Sequence, residues 1–338
     1  MTPLFLLAFL GSVIPAIPCP DRWALQKIDV WTHREIGTRG QHVRSVSLYV
    51  LDTHEMIEVT KANVSVLCDG MIKNFRNLKY LTLVEANISR IESGAFQKLP
   101  ALTHLSLAVN HLSSIERDHF RDLEALRVLY LSKNVIENVD EDAFLDLVGL
   151  RKVYLDRNRI HEIDSRWFLS NTQISLIDLS FNNVSKVQKG AFTLPRNSMV
   201  EIRLQHNEIE EVEAQAVISS AAEEEEPYLT LRLDYNNLTD ITQSFVESMD
   251  AFHSSLYFDS NFIKCFAPEM LRSLKNVTVE LQADSNPLSC DCVEAATSFM
   301  KDHELRAEFH FSSTEDCELP GLKPDNWNHI PQNIYFGN

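Results

Sequence analysis

Six cysteines, Cys19, Cys68, Cys265, Cys290, Cys292 and Cys317, are the residues of this chain best equipped to form covalent or metal bonds. Two thiolates as close as those of Cys290-x-Cys292 can grip a soft metal, whereas an even count of six can close three disulfides. Context separates the two chemistries. No histidine lies near the pair at zinc-finger spacing, and the apolar run from Leu4 to Ile14 sits where a secretory leader belongs. A secreted chain meets an oxidising compartment, so disulfides are expected, with no metal and no other cofactor. The remaining reactive types are dispersed. His161-Glu162 and His303-Glu304 each lack the second histidine, three residues after the glutamate, that a zinc protease helix needs. The sequence holds no G-x-S-x-G, phosphate loop or dinucleotide fingerprint, and it reads as a non-enzyme.

Asparagine carries the other chemistry. The pattern Asn-x-Ser/Thr occurs at Asn63, Asn87, Asn183, Asn237 and Asn276, each an acceptor for an N-linked glycan in a secreted protein. Four of these, all but Asn276, fall one residue after a position that keeps a regular beat. Leu102-x-x-Leu105-x-Leu107-x-x-Asn110 recurs 24 residues later as Leu126, Leu129, Leu131 and Asn134. It recurs as Leu150, Val153, Leu155 and Asn158, then as Ile174, Ile177, Leu179 and Asn182. Phe96, Phe120, Phe144, Phe168 and Phe192 keep the same step.

The elements that must position these residues follow from the spacing. The L-x-L step has period two, which predicts a short strand with its leucines turned inward. One such unit cannot bury them alone, so successive turns must stack into a parallel sheet around a continuous core. Where each strand ends, the Asn amide can satisfy both backbone N–H and C=O groups, building a hydrogen-bonded ladder. The ladder runs on through Asn207, Asn236, Asn261 and Asn286; two earlier turns put Ala62 and Ala86 in its place. About ten turns result. Between Asn207 and Asn236 the beat lengthens, and the surplus falls on Ser219 to Pro227, whose four glutamates predict a solvated loop.

This pattern resembles the leucine-rich repeat family in its 24-residue extracellular type. The resemblance implies an α/β solenoid, a curved horseshoe with a parallel concave sheet and capped ends. Asn286-Pro287-Leu288-Ser289-Cys290-Asp291-Cys292, with Cys317 later, is similar to the family's C-terminal cysteine cap, although no fourth cysteine follows Cys317. The organisation is then a signal peptide over 1–18, an N-terminal cap over 19–53, repeats over 54–285 and a cap and tail over 286–338. Val46-x-Leu48-x-Val50 alternates as a strand of the N-terminal cap would. The C-terminus lacks the hydrophobic tail of a lipid-anchor signal.

Cys265 and Cys290 each lie four residues after a ladder Asn. Equal phase on successive turns predicts Cα atoms about 5 Å apart and a Cys265–Cys290 bridge, with Cys292–Cys317 and Cys19–Cys68. The family resemblance implies the rival Cys290–Cys317, which leaves Cys265 to Cys292.

With catalysis set aside, a surface remains. Strand residues flanking the inward leucines face the concave side. They include Tyr80, His104, Val128, Tyr130, Lys152, Tyr154, Asp178, Arg203, Arg232 and Tyr257, and these are the expected ligand-binding residues. Tyr130 and Tyr154 should lie side by side. The net charge of −17, from 48 acids against 31 bases, disfavours nucleic acid and anionic lipid as partners. The expected partner is an extracellular protein or glycan, without membrane insertion; a dimer is compatible with the pattern. Resemblance to arthropod secreted immune and adhesion repeat proteins implies a role in innate immunity or cell adhesion. The alternative is an inhibitor or carrier that wraps an enzyme or small ligand.

Overall fold

The computed structural model describes residues 28–31, 41–42, 55–194, 199–219, 227–274, 277–302 and 308–311. The chain coils as a solenoid around one 13-stranded sheet. Its parallel strands follow in chain order: Met56–Thr60, Tyr80–Val84, His104–Ser106, Val128–Tyr130, Lys152–Tyr154, Leu176–Asp178, Met199–Arg203, Tyr228–Arg232, His253–Tyr257 and Val279–Gln282. Glu308–His310 extends the sheet in parallel at one end. At the other end Ile28–Trp31 pairs antiparallel with Met56–Thr60 and carries Gln41–His42 on its outer edge. The alternation at Val46 to Val50 lies outside the described residues.

Equal spacing produces equal register. Leu81 pairs with Leu105, Leu105 with Leu129, Leu129 with Val153 and Val153 with Ile177, so one inward position becomes one apolar column. Those side chains are buried, as are Leu83, Leu107, Leu131, Leu155 and Leu179 two residues on. The phenylalanines fill the opposite side of the coil. Phe96 and Phe120 have ring centroids 6.5 Å apart, and Phe144 stacks on Phe168 at 5.5 Å. Far from the sheet the chain makes only short elements, mostly two- and three-residue parallel strands such as Ser114–Ile115 against Asn138–Val139. One short 3-10 turn lies at Arg117–Phe120, and α-helices enter in the last turns, at Gln243–Glu247, Pro268–Ser273 and Cys290–Asp302.

Each ladder asparagine is buried and joins two turns. Asn110 accepts the N–H groups of Ala86 and Ile88 on Oδ1, at 3.0 and 3.1 Å. Its Nδ2 donates to Leu83 O at 2.7 Å and Leu107 O at 3.0 Å. Asn134, Asn158, Asn182, Asn207, Asn236, Asn261 and Asn286 repeat both roles. These partners answer the backbone groups that a buried strand end would otherwise leave unsatisfied. The residue before each ladder position is left-handed throughout, from Lys61 at φ 53° to Ser285 at φ 58°. Such a conformation costs a non-glycine residue about 1–2 kcal/mol, and the ladder bonds on either side hold it.

One bridge differs from the phase argument. Cys265 bonds to Cys292, with Cα atoms 5.3 Å apart, rather than to Cys290. The repeat phase ends at Ser289, because helix Cys290–Asp302 begins there and turns each residue by about 100°. That rotation brings Cys292 inward, where its Sγ accepts the Phe266 N–H at 3.1 Å, and leaves Cys290 half-buried. The expected Cys265–Cys290 and Cys292–Cys317 pairs are therefore both replaced, and Cys265–Cys292 is the bridge that the rival, family-implied pairing contained. Cys68 and Cys290 are also disulfide-bonded, to cysteines outside the described residues. Cys19, Cys317, the leader, the glutamate run and Asn276 lie outside them too.

Candidate functional site

Period two puts alternate strand residues on the concave face, and stacking at one strand spacing sets equivalent side chains shoulder to shoulder. In the first half of the sheet the result is aromatic. Tyr80 and His104 stack with centroids 4.6 Å apart, and Tyr130 stacks on Tyr154 at 4.7 Å with planes 9° apart. Burial, with Arg127 nearby, holds the His104 imidazole below its ordinary value, which favours the neutral ring. Burial first, and the neighbouring Tyr130 second, push the Tyr154 phenol up. Val128 is half-buried and Lys152 exposed beside the tyrosine pair. Ser132 donates to Asp156 at 2.5 Å along the same two turns.

In the second half the face is charged. Asp178 is buried and accepts Ser180 Oγ at 2.6 Å and Arg203 Nη1 at 3.2 Å. Arg203 also grips Glu201 with two bonds, of 2.7 and 3.0 Å. Arg232 pairs with Asp234 at 3.1 Å and lies 5.2 Å over the Tyr257 ring. Asp259 accepts the Asp284 N–H at 2.6 Å; burial and the carboxylates of Asp284 and Asp234 push its acidity down, raising its pKa. Glu280 accepts bonds from Ser255 and Gln282. All ten expected face residues thus lie on one sheet, but in two clusters, with Tyr80, His104, Val128, Tyr130, Lys152 and Tyr154 apart from Asp178, Arg203, Arg232 and Tyr257. Side-chain pairing already occupies the arginines.

Sequence reasoning missed the rims. At the strand ends Arg157 lies 4.0 Å over Phe181, Phe181 stacks on His206 at 4.2 Å, and His206 stacks on Tyr235 at 4.4 Å. At the strand starts Tyr228 stacks on His253 at 5.0 Å, with Met199 on the preceding turn 68% exposed. The signal for the first rim was present: Phe181, His206 and Tyr235 immediately precede Asn182, Asn207 and Asn236. The sequons occupy the opposite flank of the ladder. Asn63 and Asn87 are exposed, with Asn87 Nδ2 donating to Asn63 Oδ1 at 2.8 Å. Asn183 and Asn237 are half-buried, and Asn183 donates to Glu208 at 2.9 Å.

Away from the sheet, an open depression of about 510 Å³ is lined by residues including Glu137, His161, Asp164 and Arg166. Its guanidinium is committed to Asp164 at 2.8 Å and to Glu141. Among the described residues no helix is long and apolar enough to cross a membrane.

Residues 55–112, 102–160 and 148–209 match the family model described as Leucine rich repeat. Among curated proteins none matches the sequence. Among solved structures, human 5T4 (Wnt-activated inhibitory factor 1, trophoblast glycoprotein) aligns over 75% of this chain and 84% of its own, at 16% identity and TM-score 0.52. A chain of the Drosophila Toll–Spatzle complex aligns over 76% of this chain and 38% of its own, at 17% identity and TM-score 0.52. At such identities the likeness is one of fold.

Proposed function

We propose that this leucine-rich repeat chain is a secreted module that binds an extracellular protein or glycan on its concave sheet, in innate immunity or cell adhesion. The observation that carries the reading is the Tyr130–Tyr154 stack, paired on strand backbone and flanked by the small Ser106, Ala108 and Ser132. Paired strands hold these rings before any partner arrives, so binding spends little on ordering them. Tyrosine supplies large contact area with a polar tip, the composition of interface anchors. The Cys265–Cys292 bridge suits an oxidising compartment, which supports secretion. By analogy, a chain of similar fold takes part in the Toll–Spatzle complex.

The test begins with the secreted protein as bait for its partner. Tyr130→Ala and Tyr154→Ala should each weaken binding of the captured partner by about 1–3 kcal/mol while leaving stability nearly unchanged. Phe144→Ala is the counterpart in the core and should cost about 3–5 kcal/mol of stability. Parent-like affinity in both tyrosine variants would move the site off this half of the face.

A further inference from the structure

The rim at the strand ends is built like a column with one end closed. Its members share the left-handed backbone position, with φ 56° at Arg157, Phe181 and His206 and 57° at Tyr235. Identical backbone on successive turns projects their side chains in one direction, so planar groups stack face to face at little more than 4 Å. A guanidinium closes the first end, over Phe181. At the other end the same position is occupied by Ser260 and then Ser285, whose side chains are too small to cover a ring. Tyr235 is 52% exposed, and Phe262, beyond Ser260, is 55% exposed.

Charge beside this open end is mostly acidic, with the Arg232 guanidinium acting on Asp259 from the neighbouring strand. Asp259 and Asp284 immediately precede the two serines. Arg203 and Arg232 serve Asp178, Glu201 and Asp234, and among the described residues no cation pairs with Asp259 or Asp284. Burial and the carboxylates of Asp284 and Asp234 push the Asp259 pKa up, against the Asp284 N–H bond and Arg232, and an incoming cation would favour its charged form.

We infer that the open end of this column, the outer face of Tyr235 above Ser260 with Asp259 and Asp284 alongside, docks an arginine of a basic protein segment. The guanidinium continues the stack as Arg157 does at the closed end, and its N–H groups reach the two carboxylates. Arginine fits better than lysine because a planar guanidinium both stacks on a ring and forks onto carboxylates, whereas an ammonium is a compact, strongly hydrated charge. The site is separate from the Tyr130–Tyr154 pair, and either can fail alone.

The test uses the full secreted chain and two fluorescent nine-residue peptides, one all arginine and one all lysine, compared by anisotropy. Both carry the same charge, so their difference removes general attraction to a chain of net charge −17. The parent should prefer the arginine peptide by about 5- to 10-fold. Two variants should abolish that preference. Tyr235→Asn removes the ring and suits the left-handed backbone; Ser260→Phe keeps every charge and covers the ring face with a residue that Phe181 shows the position accepts. Tyr130→Ala should leave the preference intact. Equal binding of the two peptides by the parent would overturn the inference, as would an arginine preference that survives Tyr235→Asn or Ser260→Phe in a folded variant.

Discussion

His119 is a residue whose chemistry is set by where the repeat puts it. It is buried in the single helical turn Arg117–Phe120, and its Nδ1 accepts the Glu116 N–H at 3.1 Å. Burial holds its pKa below the ordinary value, outweighing the pull of Glu116 and Asp140 toward the charged form. The fold therefore prefers the neutral ring, and the unfolded chain takes up the proton first. Stability should be level above about pH 6.5 and decline as pH falls below it, until the lowered folded value is passed; each unit of lowering is worth about 1.4 kcal/mol. His119→Gln keeps an acceptor for Glu116 N–H without titrating, so its melting temperature should fall less between pH 7.5 and 5. Parallel curves for the two proteins would refute this. Nothing in the sequence marked His119, since the charged Glu116, Arg117 and Asp118 precede it and its burial comes from the coil as a whole. The disulfide shows the same limit: phase placed Cys265 opposite position 290 until a helix start, which the repeat does not encode, rotated Cys292 into place.

At the scale of the element the sequence was far more transparent. The period-two leucines became strands, the 24-residue step became register, and the asparagines became a ladder, because each of these is a local pattern repeated. The rims were harder to foresee. The position before each ladder residue carries side chains as different as Lys61 and Tyr235, so no residue type advertises it; what matters is which types are adjacent three turns running. The ladder itself supplies a sharp prediction. Replacing Asn158 by Leu would strand the Ile136 N–H and the carbonyls of Leu131 and Leu155, which it now satisfies at 3.1, 3.0 and 2.8 Å. A loss of about 3–5 kcal/mol is expected from three such orphans, read by chemical denaturation. The exposed neighbour Arg159→Ala should change stability by less than about 0.5 kcal/mol. Equal, small effects at both positions would mean that water reaches the strand ends.

Across the whole molecule the proposed glycans and the two rims divide the surface. Asn63, Asn87, Asn183 and Asn237 fall on one flank of the ladder, so sugars there would leave the concave strands open. N-glycosidase treatment of the secreted protein should lower its mass in several steps, and an unchanged mass would remove glycans from the account. The direction of the sheet's hydrogen bonds has a further, mechanical consequence. They run from strand to strand, along the axis of the coil, so tension applied between its two ends loads one row at a time. Peeling, not shear, is the mode of failure. A tether stretched in an optical trap should lengthen in a staircase, each step freeing one turn, or about 80 Å of contour for 24 residues. Where Cys265 is joined to Cys292 the covalent link withholds 27 residues from the tether. The double variant Cys265→Ser, Cys292→Ser should release that slack, and a single rupture of the entire sheet would contradict the staircase.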